Sequence, residues 1–132
     1  MLVETVIPNR FFRYFKRNTL DSKVCLFIDQ WLKERCKKLY IIKGIGFILL
    51  HKVDYDPGKI FTENLYLIDY IFVKPEYQRK SHGTNLIDFT VNLHNIVALV
   101  SNEDISFYRK TKFYYDAKTP DGMLNIFYKE RK

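Results

Sequence analysis

The stretch Val73-Lys74-Pro75-Glu76-Tyr77-Gln78-Arg79-Lys80-Ser81-His82-Gly83-Thr84 decides how the rest of the chain is read. It follows a run from Leu65 to Val73 rich in Leu, Ile, Tyr, Phe and Val, long enough for a central strand. Pro75 stops that strand because it offers no amide to a ladder. Beyond Gly83 the apolar period changes: Leu86, Ile87, Val91 and His94 share one helical face, while Asn85, Asp88 and Asn92 face away. A strand thus runs into a short basic loop, and the loop into a helix. Such a turn aims backbone N–H groups and the positive end of the helix dipole at one point, which suits an anion. Arg79 and Lys80 add full charges at the rim, and Gly83 lacks the Cβ that would hold an anion off the backbone. An exposed turn carrying ordinary solvated bases is the competing reading.

Upstream, Leu2 to Ile7 reads as a short strand stopped by Pro8, and Asn9 to Arg17 as a short amphipathic helix with Phe11, Phe12 and Phe15 inward. From Asp21, a plausible N-cap, Val24, Phe27, Ile28, Trp31 and Leu32 form the stripe of a surface helix, with Lys37 and Lys38 near its C-terminal end. Cys25 and Cys36 then lie in one helix about 16 Å apart along its axis, too far to bridge. Leu39 to Ile42 and Ile48 to Val53 read as hairpin-connected strands.

Downstream, Ile96 to Val100 reads as a buried strand, and Ser101 with Asp104 has capping-box spacing for a helix running to about Lys110. Phe113 to Ala117 and Leu124 to Lys129 read as strands joined by the turn Thr119-Pro120-Asp121-Gly122. The order β-α-α-β-β-β-α-β-α-β-β describes an α+β domain: a mixed, mainly antiparallel sheet flanked by helices.

At 132 residues and 47% apolar the chain is sized for one domain, 1–132, with a core that folds without staples or metal. Ten Tyr, eleven Phe and one Trp argue against disorder. No apolar run approaches the roughly 18 residues of a membrane span, and Met1 to Arg10 carries Glu4 and Pro8 where a secretory signal would be apolar. The expectation is a cytoplasmic protein with no membrane association. The two cysteines read as buried thiols, and no Cys/His cluster has metal-ligand spacing, so no metal is expected. His51 and His94 have no partner visible in the sequence, and all three histidines read as structural or solvent-facing. A net charge of +7 draws the chain to polyanions without saying which. Fifteen Lys against seven Arg, abundant Ile and only two Ala suggest an AT-rich coding genome, as in many large DNA viruses.

The segment Pro75 to Thr84 resembles the Q/R-x-x-G-x-G/A pyrophosphate loop of the GNAT superfamily of N-acetyltransferases, with Gln78 and Gly83 on motif positions. Ile105-Ser106-Phe107-Tyr108-Arg109-Lys110-Thr111-Lys112-Phe113 resembles that superfamily's A-I-x-F-Y-x-K-x-G-F segment. Ser81 stands where the loop's first glycine would be, and Lys112 replaces the glycine after the last helix. The resemblance implies a GNAT-like fold and acetyl transfer from acetyl-CoA to a primary amine by direct attack. It implies coenzyme contacts from Gln78, Arg79, Lys80, Ser81, His82, Gly83 and Thr84, and from backbone groups at Ile71, Phe72 and Val73. The superfamily's asparagine aligns with Ser101 by strict spacing, with Asn102 one residue off; both are candidates, and an N-cap suffices to explain Ser101.

Tyr108 matches the superfamily's tyrosine that protonates the coenzyme sulfur; a packed aromatic is its bland reading. Asp69 is the one ionisable side chain within Leu65 to Val73 apart from the tyrosines, and is the choice for the base, directly or through water. Strict alternation puts Asp69, Ile71 and Val73 on one face and Tyr70 and Phe72 on the other. The acceptor expected of so basic a chain is a peptide or protein amine in preference to a polyamine. Two other classes stay open: a non-catalytic acyl-CoA-binding or protein-interaction module, and a nucleic-acid binder using Arg10, Arg13, Lys16 and Arg17, ranked last because the charge is dispersed.

Overall fold

The computed structural model describes residues 2–34, 37–53, 65–94, 96–101, 114–118 and 125–130. Seven strands are found there: β1 (Glu4–Val6), β2 (Lys37–Ile42), β3 (Gly46–Val53), β4 (Leu65–Val73), β5 (Ile96–Ser101), β6 (Tyr114–Lys118) and β7 (Asn125–Glu130). They form one sheet in the order β1-β2-β3-β4-β5-β7-β6. β4 and β5 run parallel, and the other neighbours pair antiparallel. The helices are α1 (Phe11–Tyr14), α2 (Ser22–Trp31) and α3 (His82–His94). None among the described residues is long and apolar enough to cross a membrane.

Each face of the sheet carries its own core because successive strand residues point to opposite sides. On one face, Leu86, Ile87 and Val91 of α3 pack on Tyr40, Ile42, Ile48, Leu50 and Ile68. On the other, Phe11, Phe15, Cys25, Ile28 and Trp31 pack on Leu39, Ile41, Phe47 and Leu49. Tyr40 to Ile42 and Phe47 to Leu50 are therefore buried on both sides, which explains why these runs are continuously apolar and do not alternate.

The expected order of elements is present wherever the chain is described. Asp21 caps α2 by accepting from the amide of Lys23 at 2.8 Å. Three local expectations change. The helix expected over Asn9 to Arg17 is a 3-10 turn at Pro8–Arg10, one α-turn, and a second 3-10 turn at Arg17–Thr19. Phe11 and Phe15 both pack against Phe47, at ring-centroid distances of 4.8 and 5.1 Å. The second helix ends at Trp31, so Lys37 and Lys38 open β2 and do not sit at its C-terminus; Cys36 lies outside the described residues. Ser101 is the last residue of β5, and the expected helix after it lies outside the described residues.

The third change bears on the site. β3 and β4 pair Leu49 with Tyr70 but Leu50 with Ile68, so Asp69 is an extra residue with no partner in the ladder. Such a bulge resets the alternation. Ile71 and Val73 pack on the α3 side, and Tyr70 and Phe72 on the α2 side. Asp69 also turns to the α2 side, where it meets Trp31. The expected sharing of one face by Asp69, Ile71 and Val73 is thus corrected.

Candidate functional site

The loop between β4 and α3 is built from local bonds. The amide of Lys74 donates to the Ile45 carbonyl at 2.9 Å, anchoring the strand end. Pro75–Tyr77 forms a 3-10 turn. The side-chain amide of Gln78 donates back to the Val73 carbonyl at 3.0 Å, closing the loop on itself. Arg79 and Ser81 then adopt left-handed φ angles of 63° and 66°. For residues with a Cβ this conformation is strained, and it bends the chain sharply into the helix.

Asn85 donates to the Ser81 carbonyl at 3.0 Å, one turn into α3. The amides of His82, Gly83 and Thr84 precede that turn and have no carbonyl of the helix to reach. The same three residues line a cavity of about 390 Å³, together with Ile71, Val73, Tyr77, Gln78, Arg79 and Ser81. Eight of the residues expected to meet the coenzyme line it, and Tyr77 is an addition. A crevice sealed by side chains would have excluded a diphosphate, and this one is open.

Lys80 is exposed beside the cavity and does not line it. Phe72 packs on Phe47 at 5.3 Å on the opposite face, so any contact it makes with a ligand on this side falls to its backbone. His82 is only 6% exposed, its Nδ1 has no hydrogen-bond partner, and its ring meets Tyr77 edge-on at 6.2 Å. It forms part of the wall and is not a solvent-facing residue. A Cβ on Gly83 would meet Ile71 Cδ1 at 3.9 Å and Val73 Cγ2 at 4.0 Å, ordinary contacts between α3 and β4.

Asp69 sits where the parallel ladder gives out. β4 pairs with β5 at Tyr66 with Val97 and Leu67 with Ala98, and among the described residues no later pair joins them. Its carboxylate accepts from Trp31 Nε1 at 2.9 Å, and His51 Nδ1 lies 2.8 Å from both oxygens. Burial pushes the Asp69 carboxyl above its ordinary range, hydrogen bonds and charge from His51 and the Trp31 bond pull it back, and Glu34 pushes it up again. Potential ligand atoms of Glu34, His51 and Asp69 lie within 4.8 Å of one another, a donor set that could reach a single cation. As it stands, the two nitrogens already occupy the carboxylate.

His51 therefore has a partner that the sequence hides, because it is 18 residues away across a strand pair. His94 has one too: Tyr40 Oη lies 2.6 Å from its Nε2. Burial raises the Tyr40 phenol to about 12, so it keeps its proton and can donate to the imidazole or accept from it, according to the ring's tautomer. Tyr108 and Asn102 lie outside the described residues.

Residues 35–115, more than half of the chain, match the family model described as Acetyltransferase (GNAT) domain. No curated protein matches the sequence. Solved structures are similar in fold. The aminoglycoside antibiotic 6'-N-acetyltransferase AAC(6')-IG from Acinetobacter haemolyticus superposes with a TM-score of 0.66 at 14% identity, over 90% of this chain and 94% of that one. A Bacillus subtilis acetyltransferase in complex with CoA gives 0.62 at 16% identity, over 98% of each chain. AtaTR bound with AcCoA gives 0.68 at 10% identity, over 96% of this chain and 91% of that one.

Proposed function

Since the chain belongs to the GNAT acetyltransferase domain family, we propose that it moves an acetyl group from acetyl-CoA to a primary amine by direct attack, without an acyl-enzyme. The observation that carries this reading is the open cavity against the first turn of α3, with Arg79 and Ser81 held left-handed at its mouth. The first-turn amides and the helix dipole suit a diphosphate, and Arg79 and Lys80 neutralise its charge. Ile71 and Val73 offer an apolar floor toward the separating ends of β4 and β5 for the pantetheine arm. Gln78 serves by holding the loop closed.

The chemistry then asks for deprotonation of the amine, stabilisation of the oxyanion and a proton for the leaving thiolate. Asp69 lies beyond the last described β4–β5 pair and serves the first task, directly or through a group that it holds. Tyr108 is assigned to the last, since a phenol carries its proton at neutral pH. Ser101, the last residue of β5, is assigned as a further coenzyme contact, with Asn102, the next residue in the sequence, as its alternative. The acceptor is a peptide or protein amine, in keeping with the +7 charge.

Thermal melting with acetyl-CoA tests the reading. Ligand at a hundredfold Kd adds about 2.7 kcal/mol, several degrees for a domain of this size. No shift at millimolar acetyl-CoA overturns it. A thiol-release screen of lysine peptides, free N-termini and polyamines then separates an enzyme from an acyl-CoA-binding module, which would bind without turnover.

A further inference from the structure

Resting on the acetyltransferase reading, we infer that Nε2 of His51 takes the proton from the acceptor amine and that Asp69 is a positioning residue behind it. Both Asp69 oxygens face nitrogen donors, one of them twice, so the carboxylate has little left to offer an incoming ammonium. Its side chain is 17% exposed and that of His51 27%, so the imidazole is the more open of the two. With Nδ1–H given to Asp69, Nε2 carries the lone pair. No described side chain caps Nε2. Trp31 holds the carboxylate from the far side, which sets the ring through two successive bonds.

The place is as telling as the bonds. Asp69 is the bulged residue of β4, two positions beyond its last described pairing with β5, and it reaches His51 on the neighbouring β3, which stands opposite Leu67. The groups facing His51 are Asp69 from β4, Glu34 beyond α2, and Lys37, its cross-strand partner on β2. Tyr70 follows Asp69 on the same side of the sheet.

The protons balance as follows. Nε2 removes one from the ammonium and passes it to water. The amine nitrogen attacks the thioester carbonyl, and as the C–S bond breaks that nitrogen loses its second proton, which ends on the coenzyme sulfur. The net products are amide, free thiol and one proton in solution.

The test uses the full chain, acetyl-CoA and a mixture of lysine-containing peptides with free N-termini, read by thiol release. Wild type without turnover or acetyl-CoA-induced stabilisation overturns the family-level reading and this one together. With an active wild type, His51→Gln is expected to lose roughly 10²- to 10⁴-fold in kcat/KM, keep its acetyl-CoA melting shift, and recover as pH rises and more amine is already neutral. Imidazole in the buffer is expected to restore part of the rate to His51→Ala. Unchanged turnover in His51→Gln, or a loss indifferent to pH and imidazole, overturns the role of His51 while leaving the enzyme intact. ¹⁵N spectra of the imidazoles are a readout that does not depend on the variants folding. His51 is expected as the Nδ1–H tautomer in wild type, and the Nε2–H tautomer there overturns the proposal.

Discussion

A β-carbon on Gly46 would overlap the carbonyl oxygen of Phe72, and would crowd Val73 Cα at 3.2 Å. Gly46 opens β3 opposite Val73, the last residue of β4, so the glycine lets two backbones close at the point where the loop departs. The obstacle is backbone on a paired strand, which a rotamer change cannot relieve. Gly46→Ala is expected to destabilise the fold by about 2 kcal/mol or more and to weaken acetyl-CoA binding with it, as read by urea unfolding and ligand titration.

Gly83 predicts the opposite pattern. A methyl there fits the empty fold, projecting toward Ile71 and Val73, and alanine is favoured over glycine in a helix by roughly 0.5–1 kcal/mol. Gly83→Ala is expected to melt at or above the wild-type temperature while binding acetyl-CoA at least several-fold more weakly, because the methyl enters the ligand's space. Equal affinity by calorimetry would show that the glycine does not serve the coenzyme.

Ser81 holds a left-handed φ of 66° where the loop motif has glycine. That conformation costs a residue with a Cβ about 1–2 kcal/mol, offset in part by the greater freedom glycine has when unfolded. Ser81→Gly is expected to gain up to about 1 kcal/mol with acetyl-CoA affinity kept or improved. Ser81→Val, branched at Cβ, is expected to lose on both counts in the same denaturation and titration series.

Burial, with a smaller push from Lys38, holds the His94 imidazole below its ordinary 6.5, with the Tyr40 phenol 2.6 Å from its Nε2. A base whose folded pKa is depressed contributes stability that is present above the unfolded value and lost as pH falls through it. The urea midpoint is expected to drop from pH 7 toward pH 5, and His94→Gln to flatten that drop. Comparing the two proteins at each pH isolates the imidazole from the carboxyls that titrate lower down.

If Tyr108 delivers the proton to the departing thiolate, Tyr108→Phe is expected to lower kcat by roughly 10²- to 10⁴-fold with acetyl-CoA affinity nearly unchanged. Steady-state kinetics beside a binding titration would check this. Loss of affinity in proportion to kcat would mark it as a wall of the site.

Much of this protein is legible along the chain because the signals are local. Leu65 to Val73 is a strand by composition, Pro75 ends it, and the period after Gly83 is helical, so the strand-loop-helix follows from neighbouring residues alone. The same holds for the Asp21 cap and for the mixed α+β order. What required the tertiary structure is what depends on residues far apart. The bulge at Asp69 has no mark in the composition of the strand, since a ladder mismatch is a property of two strands, and it reverses which face Asp69 shares. His51, Trp31 and Asp69 stand 18 and 38 residues from one another's bonds, and only the packing of α2 across β3 and β4 brings a carboxylate between two nitrogens. Local periodicity thus determined the scaffold and the turn between β4 and α3. The partners of each buried polar group were decided by the folded sheet, because hydrogen bonds across strands are set by register.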